Sequence, residues 1–470
     1  MIALLKNCFL GFLTSLPLNF AGICTAGAEE KQPNILLLFS DDAGYADFGF
    51  QGSRHFKTPN LDKLAKSGIL FSEFYVTAAV CGPSRAGLLT GKYQQRFGFE
   101  ENNVPGYMSE SGLTGEDMGL PLGIPTIADH LKKLGYRTAI FDKWHMGDAD
   151  RYHPLKRGFD EFYGFRGGAR NYYAYPDDAA TEKGKLIERG FGEFVEHEGY
   201  LTDRLADETC DFMQRNKEKP FFAYVSFNAV HSPMDIDPGD AKEFPQLEGR
   251  RRKVAQMTLS LDRACGQILA KLDELGLRED TLIIFTNDNG GPTDSNSSSN
   301  YPLSGTKATH LEGGIRVPGI MSWKGRLEAG STFKNPVSTL DFLPTFVALG
   351  GGNPAGIEGL DGVDLMPFLT GQNTALPHET LFWKKECRGT IRKGDWKLLR
   401  FPDRPAELYN IAADPSEDNN LADANPEKVR TMFKELFAWE AELERPLWQL
   451  KRSYEKQAME RLDEYRKQEP

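Results

Sequence analysis

Cysteine is scarce: six in 470 residues, too few for a disulfide-stapled scaffold. Cys8 and Cys24 fall within the first 28 residues, which leaves Cys81, Cys210, Cys265 and Cys387 for the rest. One disulfide among these is open, but the sequence does not name the pair. Stability must come from a core. Basic charge is also short, since 56 Lys and Arg face 67 Asp and Glu, a formal net charge of -11. That disfavours a general nucleic-acid binder and gives a polyanion no overall attraction. An anionic ligand must then be held by local basic groups. Beyond residue 28 no apolar run is long enough to span a bilayer.

What is present describes an ordinary globular chain, with 40% hydrophobic and 26% charged residues. Its length can bury one large core and a smaller one. The N-terminus reads as an export signal. Lys6 is a short basic region, an interrupted apolar stretch follows from Phe9, and Ala26-Gly27-Ala28 is a small-residue cleavage site. Residues 1–28 are therefore expected to be removed, with the mature chain periplasmic or secreted.

The run Pro33-Asn34-Ile35-Leu36-Leu37-Leu38-Phe39-Ser40 predicts a strand buried on both faces, as in a parallel sheet. Thr58-Pro59 predicts a helix start, with Thr58 as N-cap. A second unit begins at Thr126, and Tyr136 to Phe141 is its strand. Further strands are expected at Phe221–Phe227, Thr281–Thr286 and Val317–Trp323, with a long helix from about Arg252 to Leu275. Alternating strands and helices imply an α/β fold with helices on both sheet faces. Shorter strands after about residue 374, then a charged helical tail from about Pro426 to Lys467, imply a small C-terminal α+β subdomain. The expected division is 1–28, 29–373 and 374–470. The polar loop Gly290–Asn300 reads equally as a mobile surface loop or as one wall of a substrate pocket.

Ligands of open α/β sheets bind outside the carboxyl ends of the strands. Asp41 and Asp42 follow the first strand, Lys143 and His145 the second, His231 the third, and Asp288 and Asn289 the fourth. Asp42-Ala43-Gly44 or Asp288-Asn289-Gly290 alone reads as a turn. Converging together, three carboxylates and an amide oxygen need a cation between them. All-oxygen donors suit Ca²⁺, whose irregular coordination fits better than that of Mg²⁺, the alternative.

Cys81 lies in Val80-Cys81-Gly82-Pro83-Ser84-Arg85-Ala86-Gly87-Leu88-Leu89-Thr90-Gly91. The pattern C-x-P-S-R is the signal for oxidation of one cysteine to Cα-formylglycine, and the longer stretch closely resembles the formylglycine-dependent sulfatase family. Lys143-Trp144-His145-Met146-Gly147 is similar to another family segment, with Asp142 where Gly is usual and Met146 where Leu is usual. Ser304-Gly305-Thr306-Lys307 and His153–Asp160 carry further resemblance, the latter to bacterial glycan sulfatases. Ile391–Lys397 and Glu407–Asn410 resemble the family's C-terminal part.

The resemblance implies an alkaline-phosphatase-like fold: a large mixed, mostly parallel sheet between helices, plus the C-terminal subdomain. It implies sulfate ester hydrolysis, with Cys81 as formylglycine serving both as nucleophile and as a ligand to the metal, and Arg85 bonding its diol. Lys143 and Lys307 would clamp sulfate, His231 would protonate the leaving alcohol, and His145 would act as base. It also implies a maturation partner, either a formylglycine-generating enzyme or an anaerobic sulfatase-maturing enzyme. Arg170, Tyr172 and His310 are candidate sugar contacts. The leading substrate is a sulfated carbohydrate of the carrageenan type. The alternatives are a phosphonate or phosphate diester hydrolase of the same superfamily and an inactive sulfated-glycan binder.

Overall fold

Strand β1, Asn34–Ser40, is buried along its whole length. Ile35, Leu37 and Phe39 enter one apolar core, while Leu36 and Leu38 enter another on the opposite face. Strand periodicity alone explains this, because successive side chains point to opposite faces and both are covered. The computed structural model describes residues 31–468 apart from 105, 112, 114 and 175–185. The expected export signal lies outside the described residues.

The main sheet has ten strands. Its centre pairs β1 in parallel with β8 (Phe221–Ser226) and β9 (Thr281–Asn287). β4 (Arg137–Lys143) continues in parallel from β8, and β5 (Glu161–Phe165) from β4. Beyond β5 come two short antiparallel strands, β6 (Ile187–Arg189) and β7 (Glu193–Val195). On the other side β10 (Gly319–Ser322) runs antiparallel to both β9 and β2 (Ile69–Phe71), and β11 (Ser331–Phe333) closes the edge. A separate pair joins β3 (Phe74–Tyr75) to β12 (Val337–Ser338).

Helices cover both faces. Leu61 and Leu64 of Pro59–Lys66, Leu201 and Leu205 of Leu201–Asn216, and Val254 and Leu261 of Gly249–Glu274 pack into the core with Leu36 and Leu38. Helices Cys81–Thr90, Ile127–Lys133 and Phe342–Leu349 fill the other. Thr126, the expected start of the second unit, is an N-cap with a full capping box to Asp129. Thr58 differs, since its hydroxyl lies 2.9 Å from Asp62 Oδ1 and 2.7 Å from the Gly49 amide instead of capping the helix.

The second sheet is antiparallel, with strands β13 (Thr380–Lys385), β14 (Arg388–Lys393), β15 (Trp396–Arg400) and β16 (Glu407–Asn410) in sequence order. The charged tail is not one helix. It forms Pro426–Glu440 and Arg452–Glu464. Pro446 lies in the gap, and Trp448 is anchored there by its indole N–H on the Asn102 carbonyl at 2.9 Å. All four cysteines among the described residues are free, and no described helix is long and apolar enough to cross a membrane.

A buried ion cluster fastens the second sheet to the short helix Glu312–Ile315. Lys397 on β15 donates to Glu312 Oε1 at 2.8 Å and lies 2.9 Å from Glu417 Oε1, with all three side chains closed to solvent. Burial, together with Glu312, pushes the Glu417 carboxyl up to about 7. Lys397→Met would leave two carboxylates facing each other without a cation. Breaking such a cluster costs about 3–5 kcal/mol, so the urea midpoint is expected to fall markedly; an unchanged midpoint would show that the lysine contributes nothing.

Candidate active site

Four parallel strands end at one edge. β1 delivers Asp41 and Asp42, β4 ends in Lys143 with His145 beyond it, β8 leads to His231, and β9 delivers Asp288 and Asn289. Asp42, Asp142 and His145 have φ of 60°, 82° and 58°, the left-handed region that non-glycine residues seldom occupy. Such strain is held in place by surrounding contacts and gathers at functional sites.

Cys81 opens the helix Cys81–Thr90, all ten residues of which are buried. The helix packs closely because its residues are small; a Cβ on Gly87 would stand 2.2 Å from Thr77 Oγ1. Cys81 Sγ lies 3.6 Å from Asp41 Oδ1 and 3.2 Å from Lys307 Nζ. Lys307 also donates to both oxygens of Asp42, at 2.7 and 2.9 Å. Lys143 Nζ donates to Asp41 Oδ2 at 2.5 Å. Arg85, one turn into the helix, reaches Asp288 Oδ2 from Nε and Nη2, at 3.2 and 3.0 Å, and Asp41 Oδ2 at 3.3 Å.

The four oxygen donors gather as the sequence predicts. Asp288 Oδ1 accepts from the Asp42 amide at 3.3 Å, and Asn289 Nδ2 donates to Asp42 Oδ1 at 2.8 Å. Asn289 Oδ1 is buried with no hydrogen-bond partner. Ligand atoms of Asp41, Asp42, Cys81 and His231 lie within 4.8 Å of one another. Three buried carboxylates beside an orphaned amide oxygen fit a hard divalent cation.

Electrostatics separate these groups. Burial, then the Asp41 charge, pushes Asp288 up to about 6 against the pull of Arg85. Burial also opposes the charge on Asp42, yet Lys307 and His231 hold it well below the usual carboxylate range. Burial and the Asp288 and Asp41 carboxylates push the Cys81 thiol up to about 12. In the metal-free chain the thiol therefore stays protonated at neutral pH and is a poor nucleophile.

The two histidines differ in placement. His231 Nδ1 faces its neighbour's carbonyl, Ser232 O, at 2.5 Å, which assigns the proton to Nδ1 and leaves Nε2 directed at Asp42 Oδ2, 3.5 Å away. Burial lowers its pKa to about 4 despite Asp42. His145 has a buried Nδ1 without a partner, and its Nε2 faces Gly168, where a Cβ would come within 2.6 Å. Burial, then Lys143 and Arg85, keeps this ring neutral.

Of the three candidate sugar contacts, Arg170 lines a cavity. Its guanidinium is held by the Asn171 and Leu186 carbonyls at 3.2 and 3.0 Å. Tyr172 is wholly buried; its hydroxyl lies 2.7 Å from Asn228 O and 2.9 Å from His231 O, so it braces the His231 loop and presents nothing to a ligand. His310 is buried against the second sheet, with Nδ1 3.2 Å from Thr390 Oγ1. The Gly290–Asn300 loop exposes Ser295 but is otherwise buried or half-buried, and it is tied down. Asn300 bonds the Gly291 and Tyr45 amides, and Asn296 Nδ2 donates to Asp42 O at 3.0 Å. Its polar residues satisfy backbone groups and brace the Asp42 turn.

Some supports carried no sequence signal. Ser226 Oγ bonds both Arg85 Nη1 and the Lys143 carbonyl. Asp142, noted only as a departure from glycine, accepts the Asn228 amide through Oδ2 at 2.6 Å. Its Oδ1 is orphaned, and burial lifts its pKa to about 7.

The comparisons agree with this geometry. The sulfatase family model matches residues 33–352, and a model described as N-sulphoglucosamine sulphohydrolase, C-terminal, matches 306–442. N-acetylgalactosamine-6-sulfatase of Canis lupus familiaris is 35% identical over 403 residues, covering 82% of this chain and 75% of that protein. Arylsulfatase A of Homo sapiens is 31% identical over 484 residues, covering 90% of each. The crystal structure of Ps i-CgsB in complex with k-i-k-neocarrahexaose superposes with a TM-score of 0.82 at 35% identity, covering 92% of this chain and 98% of that one. Sequence, relatives and fold converge: the chain belongs to the sulfatase family, and it is a sulfuric ester hydrolase on an alkaline-phosphatase-like fold.

Proposed function

We propose that this protein removes sulfate from a sulfated galactan of the carrageenan type, using Cys81 as Cα-formylglycine with a divalent cation, Ca²⁺, beside it. The observation that carries the reading is the ring around Cys81 of the C-x-P-S-R run: Asp41 and Lys307 lie next to its sulfur, and the ligand atoms of Asp41, Asp42, Cys81 and His231 gather within 4.8 Å of one another. The galactan reading is supported by likeness to Ps i-CgsB, a structure of which holds a neocarrahexaose.

Asp41, Asp42, Asp288 and the orphaned oxygen of Asn289 would hold the cation. When bound, it supplies Lewis-acid stabilisation of charge on the sulfate and on the attacking oxygen. Lys143 and Lys307 bring two ammonium charges to the side of residue 81 and hold the sulfate oxygens as point charges. Arg85, fixed between Asp41 and Asp288, keeps residue 81 and the two acids in register. His231 delivers a proton from Nε2 to the departing sugar oxygen. Its Nδ1–H on Ser232 O fixes the ring direction, and an arriving sulfate favours its protonated form. His145, kept neutral, accepts a proton from residue 81 in the second half of the reaction. Export to the periplasm or beyond would put the enzyme where such polysaccharides are met.

The test is mass spectrometry of the Cys81 peptide from protein made in its native host, paired with turnover of an aryl sulfate and an aryl phosphonate. The expected result is loss of the thiol mass and preference for the sulfate. A persistent thiol would defeat the formylglycine mechanism.

A further inference from the structure

A cavity of about 630 Å³ opens beside the reaction centre, outside the cation cluster. Three loops that follow parallel strands wall it. Asp148 lies three residues past His145; Arg166 and Asn171 belong to the loop after β5, whose Gly168 touches His145; Pro233 lies two residues past His231. The far wall is the β6–β7 hairpin, which contributes Phe191 and Phe194.

The two rings are unusual for their exposure. Phe191 is 47% and Phe194 41% open, although large apolar side chains elsewhere are mostly buried. Exposed aromatics on a concave wall mark a binding face. Phe191 is also held firmly. His153 packs edge-on at 4.7 Å, and Lys156 and Arg166 sit over its ring at 4.8 and 5.7 Å. Beneath it, buried Glu188 receives Arg166 at 2.7 and 2.6 Å and the Gly192 amide at 2.9 Å. The shelf is thus pre-organised, which lowers the ordering cost of binding.

Arg166 is engaged by Glu188 and by Asp150, at 2.7 Å. Arg170 is held by backbone carbonyls through Nε and Nη1, while its Nη2 is buried without a hydrogen-bond partner. The exposed Lys156 ammonium over Phe191 adds a cation at the shelf. The sulfate-binding lysines, Lys143 and Lys307, do not line this cavity.

We infer that the cavity is a subsite for a pyranose, the neighbour of the sulfated sugar in an oligosaccharide, stacked by its C–H face on Phe191 and Phe194. This rests on the sulfated-glycan reading above. The enzyme would then read more than one ring before cutting one ester.

The test separates the two readings. A desulfated carrageenan tetrasaccharide is titrated by calorimetry into the wild type, into Phe191→Ala/Phe194→Ala, and into Phe191→Trp, which keeps a ring. Saturable binding by the wild type and the tryptophan variant, weakened at least tenfold in the double alanine variant, is expected. In turnover, the ratio of kcat/KM for a sulfated tetrasaccharide to that for an aryl sulfate should also drop at least tenfold in the double variant, through KM. No binding by the wild type, or equal affinity in all three proteins, overturns the subsite. A wild type that turns over no sulfate ester would defeat the proposed chemistry, while the titration still decides the subsite.

Discussion

Cys81→Ala is expected to lower kcat toward an aryl sulfate by at least about 10⁴-fold, on the scale of about 10⁶ seen when a covalent nucleophile is removed. No described neighbour can substitute for it. Asp41 is committed to Lys143 and Arg85, and Asp42 to Lys307. His231 and His145 move protons in the proposed function. The fold should survive. Residue 81 is at the first turn of a helix, where alanine is well tolerated, and the lost sulfur leaves only a small cavity, so stability changes by about 1.5 kcal/mol or less. Circular dichroism with thermal melting would report the fold, and initial rates the activity. Residual activity above a hundredth of wild type would mean that another group attacks sulfur.

Asp288→Asn is expected to cost at least about 100-fold in cation affinity, more than is typical of losing a group that merely supports a ligand, with a fall in kcat of similar order. The reason is geometric as well as electrostatic. Asp288 holds Arg85 through Nε and Nη2 and faces the Asp42 amide. Losing its charge removes one oxygen donor and loosens the arginine that fixes Asp41. Elemental analysis of the purified variant should show sub-stoichiometric metal. Chelation of the wild type should abolish turnover, and added Ca²⁺ should restore it. Full activity in exhaustively chelated protein would remove the cation from the mechanism.

The centre of the sheet was readable because buried parallel strands are nearly continuous apolar runs. β1 and β9 needed no other signal, and the acids that follow them had only one edge to occupy. The Cys81 helix begins at Cys81 itself. Other features depended on contacts between distant residues. Tyr172 looks like a ligand contact in a Gly-Gly loop, but stacking on Tyr200 at 5.2 Å takes it inside. The serine-rich loop seems mobile until Asn296 and Asn300 are seen bonding to backbone. Phe191 and Phe194 gave no signal at all, since β6 and β7 have three residues each and show no periodicity.

The burial of the Cys81 helix has a consequence for the order of events in the cell. Residue 81 is 1% exposed, and every residue of its helix is enclosed. A catalyst that oxidises that β-carbon, as the proposed function requires, needs access to residue 81, and the folded protein offers none. Under that proposal oxidation comes while the chain is still open. A molecule that closes too early would be folded and permanently silent.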